Sequence, residues 1–512
     1  MHKYILLSVL LMLLVPGQVY ATGSKPATII TTDGEIDDVD SFVRMLLMSN
    51  EFTIDGLVYS SSMFHYRGDG KGTTFTSEMP LTSKIYGERK SLRWIGTQWM
   101  EELIASYAEV YPVLSGHAPG YPAPDYLLSR VAVGNVDFEG EMASDTAGSE
   151  LIKAKLLEHT SGPLYLQAWG GTNTIARALK SIEEEYKPTD QWQTVYEHVS
   201  AKAVLYIILD QDATYKNYIA KAWPEITVYL NTNQFGALAY WWKSALPAQV
   251  QPYFEGAFMG RHIINNHGPL TSRYYSWGDG KKQAGDEFHT HGDAASMATA
   301  DGGPYQKFDF ISEGDSPAFI HLIDVGLDST DNPGFGGWSG RLQQSASQPS
   351  LWKDGDMTFT DTFHHINTVK DINPHTGMED SRYPQTRWLK AIQSEFAARA
   401  DWCVMPYDKA NHPPVVTVQQ PQRQTVKPGQ SVSLKAQVSD PDNNTVTIMW
   451  WHYAEAGTAD IGLSLVQSGD GVVTFNVPDT IKSGDTIHLI AEATDDAEHP
   501  LTRYQRVILT GL

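Results

Sequence analysis

Between Trp402 and Val415 the texture of the chain changes, and that change constrains the fold more than any other feature. Before it, short apolar runs alternate with amphipathic stretches. Ala27–Thr31 (ATIIT) reads as a strand, and Val39, Phe42, Val43, Leu46 and Leu47 then recur at helical spacing, predicting a helix from Asp37 to Ser49. Phe52–Ser60 and Leu164–Ala168 read as further strands, the second followed by a helix over 172–185. Val204–Leu209 is the continuous apolar run of a strand covered on both faces. Strands alternating with helices predict an α/β fold, an open and mostly parallel sheet with helices on both faces. Residues 406–414 (PYDKANHPP) form a turn-rich linker. Beyond it only strand patterns remain, over 415–418, 431–438, 445–451, 472–477 and 486–493, with turns such as Asp440-Pro-Asp-Asn443 between them. They predict an all-β, immunoglobulin-like sandwich over 415–512. The expected domains are therefore 22–405 and 415–512.

The first 21 residues read as an export signal. Lys3 gives a positive start, Tyr4 to Val15 an apolar run, and Val19-Tyr20-Ala21 a small-x-small cleavage site. That run is too short to span a bilayer, which takes ~20 residues, and no other segment is long and apolar enough. The expectation is a secreted or periplasmic protein. Cys403 is the single cysteine, which excludes an internal disulfide and a cysteine-based metal cluster. With 38 Lys+Arg against 60 Asp+Glu the formal charge is −22, and the basic residues are scattered, which argues against nucleic acid. Fourteen Trp and 25 Tyr either fill cores or line a carbohydrate site.

The most informative stretch is Ile30-Thr-Thr-Asp-Gly-Glu-Ile-Asp-Asp-Val-Asp40. A strand ends at Asp33, Gly34 permits a sharp turn, and Asp37 and Asp38 fall in the first turn of the next helix. At the C-terminal edge of a parallel sheet this gathers three carboxylates where open α/β sheets bind ligands. Packed like charges cannot all ionise alone, and a helix N-terminus stabilises an acid by only ~0.3–1 kcal/mol. A divalent cation would neutralise them, and oxygen-only ligation favours Ca²⁺ over Zn²⁺. The competing reading is an acidic helix cap. Asp315, in Ser312-Glu-Gly-Asp-Ser-Pro-Ala-Phe-Ile-His-Leu-Ile-Asp324, reads as the N-cap of a helix whose buried stripe is Phe319, Leu322 and Ile323.

These stretches resemble the nucleoside hydrolase superfamily: TTDGEIDD (31–38), WGGTNTIARAL (169–179) and EGDSPAFIHLI (313–323) stand in the family's order and spacing. More closely, the chain is similar to exported nucleoside-hydrolase-like proteins described as cellulose-binding, which carry an immunoglobulin-like C-terminal domain. The resemblance implies a nucleoside-hydrolase-like sheet and a bound Ca²⁺. It implies that Asp33 binds the metal and takes a proton from water, that Asp38 is a bidentate ligand, that Asp37 contacts the sugar, that Asn173 lends a main-chain carbonyl, and that Asp315 is the late ligand. Three departures stand out. Thr31 replaces the family's first Asp, Gly314 stands where many members have an acid His, and Ser60-Ser-Ser-Met-Phe-His65 replaces the ribose motif.

Leaving-group protonation then falls to Glu313, beside the vacant His position, or to His289 and His291 in Phe288-His-Thr-His-Gly-Asp293, on a Gly-rich insertion able to fold over the site. Those two histidines also read as exposed loop residues, and HxHxD also suits a metal. His65, Asn173, His289, His291 and Asp37 are the expected substrate contacts. Two function classes follow. One is a Ca²⁺-dependent hydrolase that cleaves an N- or O-glycosyl bond, furanosyl substrates among the candidates, with metal-activated water. The other is a carbohydrate-binding protein without turnover, whose Tyr240-Trp241-Trp242, Trp338 and Trp450-Trp451 stack on sugars. The partner is a nucleoside or an oligo- or polysaccharide.

Overall fold

The expected strand–helix alternation builds one twisted sheet. The computed structural model describes residues 25–359 and 363–512, so the expected export signal at 1–21 lies outside the described residues. The main sheet contains β1 (Ala27–Thr32), β2 (Thr53–Tyr59), β3 (Val131–Val133), β4 (Leu164–Ala168), β5 (Ala203–Ile208), β6 (Thr227–Asn231), β7 (Gln343–Gln344) and β8 (Leu351–Lys353), in the order β3-β2-β1-β4-β5-β6-β8-β7. Every neighbouring pair is parallel except β8 with β7. The chain runs outward from β1 to β2 and β3, then returns to place β4 on the other side of β1. That reversal opens a crevice outside the C-terminal ends of β1 and β4, where ligands bind in such sheets.

Helices cover both faces. On one, α1 (Ile36–Leu47) and α2 (Trp99–Leu114) pack their apolar stripes together, and Phe42 meets Trp99 edge-on with ring centroids 5.3 Å apart. Deleting a ring as buried as Phe42 costs about 3–5 kcal/mol. On the other, α3 (Ala147–Leu157), α4 (Asn173–Tyr186) and α5 (Trp192–Lys202) enclose Ile152, Leu179, Ile182 and Val199. The late helix after Asp315 is short, α6 (Ser316–Ile320), because the chain leaves α-geometry at His321 through three-residue turns. Leu322 and Ile323 are still buried, but not as the helical stripe their spacing predicts.

The C-terminal part folds as two packed sheets. One holds Val415–Val418, Ser431–Ser439, Val472–Asn476 and Val466–Gln467; the other holds Arg423–Val426, Thr502–Gly511, Thr486–Thr494 and Thr447–His452. Their pairings are antiparallel apart from Arg423–Val426 with Thr502–Gly511, which is parallel. Trp450 fills this core, whereas Trp451, Tyr453 and Tyr504 leave it to pack against Trp388 of the α/β part. Arg506 donates to the carbonyls of Leu327, Phe335 and Gly336, so the sandwich is docked by hydrogen bonds as well as rings. Among the described residues no helix is long and apolar enough to cross a membrane.

Candidate metal centre

The turn from β1 into α1 runs through Asp33, Gly34 and Glu35. Gly34 has φ +83°, and a Cβ there would lie 2.9 Å from Trp99 Nε1, so only glycine fits. Asp33 Oδ1 accepts from the Glu35 N–H at 3.3 Å, while Oδ2 is buried without a hydrogen-bond partner. Gly170, just past β4, lets that carboxylate approach: a Cβ there would be 2.9 Å from Oδ2.

Asp37 and Asp38 open α1. The N-cap residue, Glu35, makes no side-chain capping bond, and Asp37 and Asp38 stand in the first turn. Asp38 accepts from Thr32 Oγ1, and Asp37 Oδ2 accepts from Ser312 Oγ at 3.2 Å. Asp315 stands at the N-cap of α6, as its sequence reading has it, but its side chain makes no capping bond and lies beside the carboxylates of α1. One oxygen from each of Asp37, Asp38 and Asp315 lies within 4.8 Å of the others. Oxygens on opposite sides of a hard divalent cation, each ~2.3–2.6 Å from it, stand about 5 Å apart, so the spacing fits a single ion.

The electrostatics agree. Burial pushes Asp37, Asp38 and Asp315 well above the usual carboxylate range, and repulsion among themselves and from Asp33 adds to it. Arg93, the one cation among the described residues that line the adjoining cavity, is committed elsewhere, donating to Asp286 at 2.8 Å and to Glu35 at 3.2 Å. Burial raises Glu35, but Arg93, His65 and the Tyr240 hydroxyl outweigh it and hold the carboxyl below its ordinary value. The molecule thus has a compensated acidic lobe, Glu35 and Asp286, beside an uncompensated one. The second is the one that calls for a cation.

The cavity measures about 210 Å³ and is lined by Asp37, Asp38 and Asp315 on one side and by Phe64, Trp169, Phe235 and Trp241 on the other. At ~30 Å³ per water it has the volume of about seven waters, enough for one sugar ring. Trp241 is half exposed at its mouth, whereas Trp242 and Trp338 are buried core residues.

Comparison with known proteins follows this geometry. A family profile described as "Cellulose-binding Sde182, nucleoside hydrolase-like domain" matches residues 27–342. The chain belongs to this family. A second profile, "Cellulose-binding protein Sde0182, C-terminal domain", matches residues 431–511 of this Sde182-family chain. A solved nucleoside hydrolase-related protein from Saccharophagus degradans, described as associated with carbohydrate metabolism, has the same fold, with a TM-score of 0.67 and 23% identity over 96% of this chain and 100% of that one. The titin M4 domain aligns with 20% of the chain at 17% identity and a TM-score of 0.14. No curated protein matches.

The Sde182-family chain departs from its sequence reading at several residues. Glu313 is not free to protonate a leaving group. Its carboxylate is fully buried, takes two hydrogen bonds from Arg44, and accepts from Tyr274 and, at 2.7 Å, from Ser316. The vacant His position is closed as well: a Cβ on Gly314 would lie 2.9 Å from Asp37 Oδ2 and 3.3 Å from Phe235. The Asn173 side chain faces Ser61, Asn135 and Glu141, to which its amide donates, and its own N–H is capped by Asp212 Oδ2 at 2.9 Å. Asn173 is the first residue of α4.

The histidines are not exposed loop residues. His289 is 2% exposed and accepts from the Gln283 N–H, and His291 stacks beside Tyr240, its pKa lowered to about 4 by burial. His65 lies inside the site, with Nδ1 3.9 Å from both Asp33 Oδ2 and Glu35 Oε2 and neither ring nitrogen hydrogen-bonded. Glu35, Arg93 and Asp286 escaped the sequence reading, and Tyr240, read there only as a sugar-stacking ring, donates to Glu35. Only Glu35 carried a local signal, its place inside the acidic stretch.

Proposed function

We propose that the chain is an exported, Ca²⁺-dependent hydrolase of a glycosyl bond, with residues 1–21 as the export signal, 22–405 as the hydrolase domain and 415–512 as an accessory sandwich. The observation that carries this reading is Asp33 Oδ2, a buried carboxylate oxygen without a donor, beside three carboxylates that share one ion-sized space and lack a counter-charge. Asp37, Asp38 and Asp315, with Asp33, would hold Ca²⁺, which supplies charge that acidifies water and holds sugar hydroxyls. Asp33 accepts the proton of the attacking water at Oδ2. Phe64, Trp169 and Phe235 exclude bulk water and confine one sugar ring, so the reacting carbon and the base meet at close range. A furanosyl O-glycoside suits the pocket better than a purine nucleoside, because Gly314 leaves no acid to meet a departing base.

A second reading, sugar binding without turnover, is favoured by one observation: the vacant His position and the neighbouring acid candidate are both closed, Gly314 by Asp37 and Glu313 by Arg44. The two readings part in one experiment. Ca²⁺ titration of the metal-stripped protein is followed by a reducing-sugar screen over nucleosides and plant oligosaccharides. Ca²⁺ uptake with sugar release that disappears in Asp33→Ala supports the hydrolase. Uptake with ligand binding and no release supports the binder, and absence of uptake overturns both.

A further inference from the structure

A larger cavity, about 550 Å³, opens on the face covered by α4 and α5. It is remote from the acidic cluster: α4 starts beside the site at Asn173, and Glu183, which lines this cavity, lies ten residues along, ~15 Å at 1.5 Å per residue. Its floor is aromatic. Trp192, Tyr196 and Tyr218 are each half buried, and the first two rest on the buried Trp223, Tyr196 stacked at 5.1 Å and Trp192 edge-on at 5.5 Å. Trp223 closes the core beneath, so the outer rings are held rigid without being needed to seal it.

Tyr218 is oriented by Glu183, to which its hydroxyl donates at 2.8 Å. Tyr218 and Asn217 both project from Tyr215–Ile219, a π-helical turn, and such turns are frequent at functional sites. Charge narrows the ligand. Glu183 is paired with Lys187 at 2.5 Å, which leaves Lys221 as the remaining charged group of a groove of rings and amides. A phosphate polymer needs a clustered cationic face, and this chain carries −22 overall. Flat apolar faces edged by the amides of Gln193 and Asn217 match a neutral pyranose, whose C–H face stacks and whose hydroxyls point sideways.

We propose that this groove binds a neutral pyranose glycan, and that it does so independently of the acidic site. Its volume is about two and a half times that of the acidic pocket, so it spans two to three sugar units where the pocket holds one.

The test is titration of the full chain with cellohexaose, xylohexaose and laminarihexaose, followed by Trp fluorescence. Binding of at least one hexaose is expected, weakened tenfold or more in Trp192→Ala and in Tyr218→Ala, with Ca²⁺ binding and the melting temperature unchanged. If Trp192→Ala melts early, Asn217→Ala, exposed on the rim, is expected to weaken binding while folding normally. Binding of none of the three, or equal binding by wild type, Tyr218→Ala and Asn217→Ala, overturns the proposal. Loss of glycan binding in Asp315→Asn would also overturn it, since the sugar would then sit in the acidic pocket.

Discussion

Arg44 and Glu313 form a buried ion pair behind the acidic cluster, Arg44 Nη2 donating to Glu313 Oε1 at 2.8 Å. Arg44 lies on α1 two turns after Asp37 and Asp38, and Glu313 stands two residues before Asp315. The pair therefore ties together the two chain segments whose carboxylates share the ion-sized space. Ser316 Oγ adds to the tie, within hydrogen-bond distance of Ser41 Oγ at 3.1 Å.

Removing one partner strands the other charge in the interior. Both side chains are 0% exposed, so Arg44→Met is expected to cost about 3–5 kcal/mol, read as a fall in the unfolding midpoint in urea. Replacing both, Arg44→Met with Glu313→Leu, is expected to recover most of that loss, because a well-packed apolar pair substitutes for a buried ion pair. A double variant as unstable as the single one would contradict this account.

Metal-free stability has a predicted slope with pH. Asp37, Asp38 and Asp315 have folded-state pKa values raised above their unfolded values, by burial first. Such groups bind more protons folded than unfolded, so their contribution is present at low pH and is lost as pH rises through the raised range. The melting temperature without metal is expected to fall as pH rises above the ordinary carboxylate range. Saturating Ca²⁺ is expected to flatten that slope and to stabilise by about 2.7 kcal/mol at one hundred times its Kd. A metal-free protein with a flat profile, or one that Ca²⁺ leaves unmoved, would remove the basis for the cluster's electrostatics.

Gly314 gives a steric prediction. A methyl there meets Asp37 Oδ2 at 2.9 Å, so Gly314→Ala is expected to displace that carboxylate and weaken Ca²⁺ binding about tenfold, measured by calorimetric titration. Gly314→His, which restores the residue common in nucleoside-cleaving relatives, is expected to bring the same loss and no nucleoside cleavage. Nucleoside turnover by Gly314→His would show that the pocket has room the structure denies it.

The parts of the site that were legible in the sequence are those built within one turn. Asp33, Gly34, Asp37 and Asp38 follow from a strand, a turn and a helix start, whose spacing dictates where the side chains emerge. Arg93, Asp286 and Tyr240 come from three distant loops and carry no periodic signal, so only folding brings them to Glu35. Glu313 was misread because an acid beside a site looks free in sequence, and its partner Arg44 lies 269 residues away. Asp315 occupies the N-cap position its spacing predicts, yet its side chain makes no cap bond and joins the other carboxylates. In the sandwich, Arg423–Val426 and Thr502–Gly511 were missed. The first is only four residues long, and the second interrupts its alternation where Val507, Ile508 and Leu509 are buried together.

The junction between the two parts stacks two histidines. His117 Nε2 faces the Met405 carbonyl at 2.8 Å, His117 Nδ1 faces His412 Nε2 at 3.0 Å, and His412 Nδ1 faces Asp442 Oδ1 at 3.0 Å. Burial lowers the His117 pKa, with the Met405 carbonyl and Asp442 opposing it. A histidine whose folded pKa is lowered binds fewer protons folded than unfolded, so its contribution is present above the ordinary His value and is lost as pH falls toward the lowered one. With Ca²⁺ saturating, so that the acidic cluster is silent, the wild-type melting temperature is expected to fall as pH drops below about 6.5, the ordinary His value. His117→Gln removes the titrating ring and is expected to flatten that fall, read by comparing the two melting profiles. Parallel profiles for the two proteins would mean that the slope comes from another group.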